Sequence, residues 1–185
     1  MNHLDHVGLI RDGVPVGPAH WADLGAGRGA FTLALADVLG PGAHITAVDR
    51  DSSALSELAD SMHRRFPETV LKTITADLAK PLDLRDLDGV VMANSLHLFK
   101  DKPALLRLVR GLPAPSRRLL LVEYGADRGN PWVPHPISFE RWRALSEREG
   151  FKDTRLLATV PSRFLGSIYS SVSRMVVTVC TAVLT

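Results

Sequence analysis

Three glycines at alternate positions, in the stretch Asp23-Leu24-Gly25-Ala26-Gly27-Arg28-Gly29, constrain this chain more than any other feature. Glycine accepts positive φ and lets the backbone come into contact with a ligand. The cluster follows an apolar run, His20–Leu24, that reads as a strand. It precedes Ala30–Leu39, which reads as a helix closed by Gly40-Pro41-Gly42. A glycine turn from strand into helix opens an alternating layout in which loops at the carboxyl edge of a parallel sheet hold the ligand.

The rest of the chain keeps that alternation. His44–Asp49 is a β-branched strand, and a helix capped by Asp51 places Leu55, Leu58, Met62 and Phe66 on one face. Val70–Thr75 is a third strand. Gly89–Asn94, a fourth, is so continuously apolar that both its faces must be covered. Lys102-Pro103 opens a helix with Leu105, Leu108, Val109 and Leu112 together, and Leu119–Glu123 is a fifth strand. Ser138 caps a helix carrying Phe139, Trp142 and Leu145. Residues 151–160 and 168–179 then alternate without a helix between them, which predicts an antiparallel hairpin around Pro161–Gly166. Five strand–helix units and a hairpin make an α/β fold, a mostly parallel sheet with helices on both faces. The length of 185 residues fits one domain, residues 1–185, whose residues 1–18 form a short N-terminal segment that could serve as a partial lid.

Composition narrows the class. Hydrophobic residues at 45% and charged residues at 23% exclude disorder and fibrous repeats. The single cysteine, Cys180, excludes an internal disulfide, and MNHLDHVGLIRDG lacks the basic and apolar regions of a secretory signal. The longest charge-free apolar stretch, after Arg174, is far shorter than the ~20 residues that span a bilayer. The expectation is a cytoplasmic protein without a membrane partner. Its net charge of +2 conceals an asymmetry: residues 1–100 carry 13 acidic and 9 basic side chains, residues 101–185 carry 7 and 13. The basic residues of the second half, among them the Arg141/Arg143/Arg148 set, read as solvated helix faces. They leave a nucleic acid open as a partner, but no interleaving of aromatic and basic residues of the kind that stacks bases is present.

Four strand ends converge on one crevice. Asp49 closes the second strand, and its two acceptor oxygens suit a ribose diol. Asp77 follows the third strand, with Leu78 behind it, placed to read an adenine amino group. Asn94 ends the fourth strand. A nicotinamide-dependent oxidoreductase is one alternative, because Gly25, Gly27 and Ala30 also satisfy G-x-G-x-x-G/A. Against it, Asp23 would set a carboxylate beside a pyrophosphate, whereas it suits a ligand bearing an amine and a sulfonium.

The sequence resembles the class I S-adenosylmethionine-dependent methyltransferases over essentially its whole length. Their first motif, an acidic residue followed by G-x-G-x-G, looks like Asp23, Gly25, Gly27 and Gly29, with Ala26 inside it. The resemblance implies a three-layer Rossmann-like fold with a seven-stranded sheet of order 3-2-1-4-5-7-6, and S-adenosylmethionine as cofactor. It makes Asp49 the ribose ligand, sets Arg50 beside the adenine and has Asp77 and a Leu78 backbone contact read that base. Asn94 and Ser95 border the methionine moiety. The stretch VVMANSLHLFKDKPALLRLVRGL is similar to the small-molecule branch, which implies a small-molecule acceptor. Two departures are visible. Asn94-Ser95-Leu96-His97 replaces the Asn-Pro-Pro of branches methylating planar amide or adenine nitrogens, and Pro115-Ser116-Arg117 replaces a Pro-Gly-Gly turn.

A base is needed only where the acceptor must lose a proton, and His97, just past the fourth strand, is the catalytic candidate. A helix-entry histidine bonded to backbone is the plainer reading of it. Glu123 and Tyr124 could border the acceptor, though loop packing is the better expectation. Trp132, His135, Phe164 and Tyr169 could form an aromatic wall, with core packing the better expectation at each. His3 and His6 lack a third ligand, so no metal is expected. A homodimer stays open, as does a methyltransferase-like module that binds the cofactor without catalysis.

Overall fold

The computed structural model describes residues 1–112 and 117–175. Cys180, the apolar tail beyond Met175, the end of the last expected strand and the Pro115-Ser116 turn lie outside the described residues. Seven strands form one sheet: β1 His20–Leu24, β2 His44–Asp49, β3 Val70–Thr75, β4 Gly89–Ala93, β5 Arg117–Tyr124, β6 Phe151–Pro161 and β7 Ser167–Met175. Their order is β3-β2-β1-β4-β5-β7-β6. The first five run parallel, and β7 inserts antiparallel between β5 and β6.

Helices cover both faces, as the apolar periodicity requires. On one side α1 (His3–Ile10), α2 (Ala30–Leu39) and α3 (Ser52–Arg65) bury Ile10, Leu35 and Leu58. On the other, α4 (Lys102–Gly111) and α5 (Phe139–Arg148) bury Leu106 and Trp142. Every residue of β4 is buried, which is why that run shows no polar alternation. Asp51 caps α3 by accepting from the Ser53 and Ala54 amides, and Asp101 caps α4 through the Ala104 amide.

One expectation is corrected. The unit after β3 has no helix: residues 76–88 run irregularly to β4. Asp77 folds back on the Ala79 amide, Pro81 interrupts the segment and Asp86 takes φ +55, while Leu78, Leu84 and Leu87 still reach the core. At the N-terminus, residues 3–10 of the short segment form a capped helix. Val7, Leu9 and Ile10 are buried, His3 Nε2 meets Asp37 at 2.9 Å, and His6 packs on Phe31. Chain order reverses at β1, whose neighbours are β2 and β4. The carboxyl edge there opens the crevice that holds ligands in such sheets.

Candidate functional site

The glycine turn rises from β1 at that switch point. The Gly25 and Ala26 amides both donate to Val48 O, at 2.8 and 3.1 Å, which ties the turn to β2. Asp49 completes the link: its Oδ2 accepts from the Gly27 amide at 2.8 Å, and its Oδ1 from the Asp51 amide at 2.9 Å. Each glycine has a distinct reason to be there. Gly25, at φ +85, lies so close to Ser95 that a Cβ would come within 2.5 Å of the serine Cβ. Gly29, at φ +83, is pressed against Leu58 as α2 begins. Gly27, at φ +51, faces open space.

A crevice of about 240 Å³ lies beside this turn. Among its walls are Gly25, Asp49, Arg50, Asp77, Leu78 and Ser95, six of the residues singled out from sequence. Ala76, Leu98 and Phe99 also line it. The apolar pair in Leu96-His97-Leu98-Phe99 was the signal that could have found the last two. Ser95 donates to Leu24 O at 2.9 Å, so its hydroxyl locks the start of the turn to the end of β4. Asn94 holds φ +52, and its buried Oδ1 has no hydrogen-bond partner among the described residues.

Asp23 departs from the electrostatic expectation. It is 1% exposed and absent from the crevice wall, and the Thr32 hydroxyl donates to its Oδ2 at 2.6 Å. Burial pushes its carboxyl up to about 7; Thr32 opposes that shift and Asp49 adds to it. Asp23 therefore braces the turn from below instead of facing a cationic ligand. Alternation along β1 points it inward, and α2 closes over it.

The crevice residues fit an adenosine-bearing ligand with an amino acid end. Each Asp49 oxygen, bonded once, keeps a lone pair for a diol. The space beside Gly27 is what a Cβ would fill, whereas Asn94, whose buried Oδ1 has no hydrogen-bond partner among the described residues, is not among the crevice's walls. Asp77, Leu78 and Arg50 would flank the base.

Next to this crevice, His97 is held by a carboxylate rather than by backbone. Its Nδ1 lies 2.9 Å from Glu123 Oε1, and its own amide donates to Glu123 Oε2 at 2.9 Å. Glu123 is fully buried and also accepts from the Tyr124 amide at 2.7 Å. A carboxylate only accepts, so Nδ1 is the nitrogen that donates to Glu123, and Nε2 is the ring nitrogen that Glu123 leaves unengaged. The Tyr124 ring meets the imidazole edge-on at 5.3 Å. Glu123, expected to pack in a loop, is the orienting partner. Sequence could not pair it with His97, because the two are joined only by β4 lying beside β5.

The loop after β5 brings a second correction. Trp132 is 73% exposed and Phe164 is 64% exposed, so neither packs in the core; Tyr169 does. Asn130 ties their segments together, donating to Phe164 O and accepting from the Trp132 amide, both at 3.0 Å. The His135 amide donates to His97 O at 3.0 Å, which brings this loop to the histidine. A larger cavity, about 380 Å³, opens at the opposite edge of the sheet between His20, His44, Lys72 and Arg85, away from the turn. No helix among the described residues is long and apolar enough to cross a membrane.

A family model described as "Methyltransferase domain" matches residues 22–116. The reducing polyketide synthase grgA of Penicillium sp is 26% identical over an alignment of 162 residues that covers 75% of this chain; the chain spans only 6% of that relative's length. A SAM dependent methyltransferase from Aquifex aeolicus has a TM-score of 0.67 at 18% identity, covering 94% of this chain and 87% of that one. CrArsM, an arsenic (III) S-adenosylmethionine methyltransferase from Chlamydomonas reinhardtii, also gives 0.67 at 18% identity, covering 89% and 66%. At such identities the likeness to solved structures is one of fold.

Proposed function

The chain belongs to the class I S-adenosylmethionine-dependent methyltransferases, and on that premise we propose that it methylates a small-molecule acceptor whose proton is taken by His97. The observation that carries this reading is the buried His97–Glu123 pair next to the crevice. Bound S-adenosylmethionine supplies a methyl group already activated on a sulfonium. The chain's own residues supply position and a base. Asp49 holds the ribose hydroxyls, Asp77 and Leu78 read the adenine, and Asn94 with Ser95 borders the amino acid end. Such alignment is worth roughly 7–11 kcal/mol of barrier. His97 Nε2 accepts the acceptor's proton, while Glu123 keeps Nδ1–H in place and stabilises the imidazolium that forms. General-base catalysis of this kind contributes about 100-fold to 10,000-fold.

The acceptor's apolar portion rests on Trp132 and Phe164, two residues with exposed aromatic side chains whose backbones are bridged by Asn130. The names of the relatives fit a small acceptor, a polyketide in one case and arsenic (III) in another.

The test pairs calorimetry with transfer from radiolabelled S-adenosylmethionine to a panel of thioesters, hydroxyl compounds and arsenite. S-adenosylhomocysteine is expected to bind with micromolar affinity, and His97→Ala to lower transfer about 100-fold without loss of that binding. Saturable NAD binding with no heat from S-adenosylhomocysteine would overturn the reading. Strong cofactor binding without transfer to any acceptor would leave a binding module instead.

A further inference from the structure

A third cavity, about 350 Å³, opens between the start of α4 and the length of α5. Lys100, Lys102, Arg141 and Arg148 line it together with apolar residues such as Pro136 and Ile137, and no acidic side chain is among its walls. Arg141 and Arg148 stand seven apart, so two helical turns aim both at the same space. A concavity lined by charges of one sign focuses the field and concentrates counter-ions there, which favours an anionic ligand.

The nearby carboxylates compensate only in part. Arg141 meets Asp127 at 3.5 Å and Arg148 meets Glu149 at 3.9 Å; all but Glu149 are largely exposed. Lys100 has no ion pair among the described residues. Lys102 is 8% exposed, and its Nζ donates to Phe99 O at 3.0 Å and His135 O at 2.6 Å, leaving one proton unassigned. Burial lowers the Lys102 ammonium below the usual lysine value, and Arg141 lowers it further, against the pull of Glu123. The Asp101 carboxylate caps the start of α4 and Glu140 stands in the first turn of α5, so the helix ends add no free positive pole and the field comes from the four side chains.

From this arrangement we propose that the cavity is a binding site for a phosphate dianion, carried on an ester or free. Its link to the site already described is short. His135 accepts from Lys102 and donates to His97 O, and the two residues after it wall the cavity. A phosphate ester of an apolar molecule would meet cations and aliphatic walls together. Its other end would lie toward the loop that carries Trp132. That the ligand is the methyl acceptor rests on the reading above; the dianion site does not.

Hexyl phosphate and inorganic phosphate, titrated by calorimetry into the full chain at low salt, test the proposal. Saturable binding is expected, weakened about tenfold or more in the triple variant Lys100→Ala, Arg141→Ala, Arg148→Ala, whose side chains are exposed. S-adenosylhomocysteine affinity should stay within about twofold in that variant, since none of the three touches the crevice. Tighter binding of hexyl phosphate assigns the site to an ester-bearing ligand, and equal binding assigns it to the free anion. Absence of saturation with both, or binding indifferent to the triple variant, overturns the proposal. If S-adenosylhomocysteine fails to bind the native chain, the methyl-transfer reading falls while the phosphate titration still decides this one.

Discussion

Glu123 grips His97 at two points, the backbone amide and Nδ1, each at 2.9 Å. A third donor, the Tyr124 amide, occupies the same carboxylate at 2.7 Å. In Glu123→Gln, whichever way the amide turns, its NH₂ faces an N–H donor. The variant should lose about 1–3 kcal/mol of stability in urea denaturation and about 100-fold in methyl transfer. S-adenosylhomocysteine affinity should not follow. Unchanged transfer would remove His97 from the mechanism.

Asp23 predicts a pH dependence with a definite sign. Its carboxyl sits near 7 folded and 3.8 unfolded, so between those values the folded chain keeps a proton that the unfolded chain releases. Stability from this group is therefore full below about pH 4, falls by about 1.4 kcal/mol per pH unit toward 7, and is flat above. Asp23→Asn should abolish that slope. Denaturation midpoints at pH 5 and pH 8, compared for both proteins, measure it; identical slopes would contradict the burial argument.

Asp49 fixes Gly27 and Asp51 simultaneously. Asp49→Ala should weaken S-adenosylhomocysteine about tenfold or more by calorimetry, since a charged acceptor is lost along with the shape of the turn. Retained affinity would remove Asp49 from the ribose site.

Gly25 and Gly27 should separate folding from binding. A Cβ at Gly25 strikes Ser95, so Gly25→Ala should lower the melting temperature strongly. At Gly27 the space is open, and alanine there costs only the backbone strain of φ +51, about 1 kcal/mol, yet it intrudes beside the crevice. Calorimetry of Gly27→Ala should therefore show cofactor affinity falling more than stability.

Trp132 and Phe164 are exposed and should be removable. The double alanine variant should stay within about 0.5 kcal/mol per site of the native stability, while the apparent KM for an apolar acceptor rises. A large loss of stability would mean that these rings pack against the fold after all.

The strands of the parallel sheet and the crevice residues Asp49 and Asp77 were legible because each depends on neighbours in sequence, an apolar run and the strand end that closes it, while Ser95 came only with the family resemblance. The missing helix after β3 was not, because Leu78, Leu84 and Leu87 reach the core from an irregular path that has no period to read. Nor was the withdrawal of Asp23, since a residue beside a glycine turn gives no local sign of which side α2 will close over.

Local chemistry alone thus settled that the backbone turns left-handed at the glycine cluster, where strands begin, and which acids end at one edge of the sheet. Tertiary contact decided which acid faces solvent, which is sealed beneath a helix, and which carboxylate finds a histidine 26 residues away. The physical reason is reach. Propensity and capping act over a turn or two, whereas burial and a hydrogen bond between strand ends exist only once β4 and β5 lie side by side.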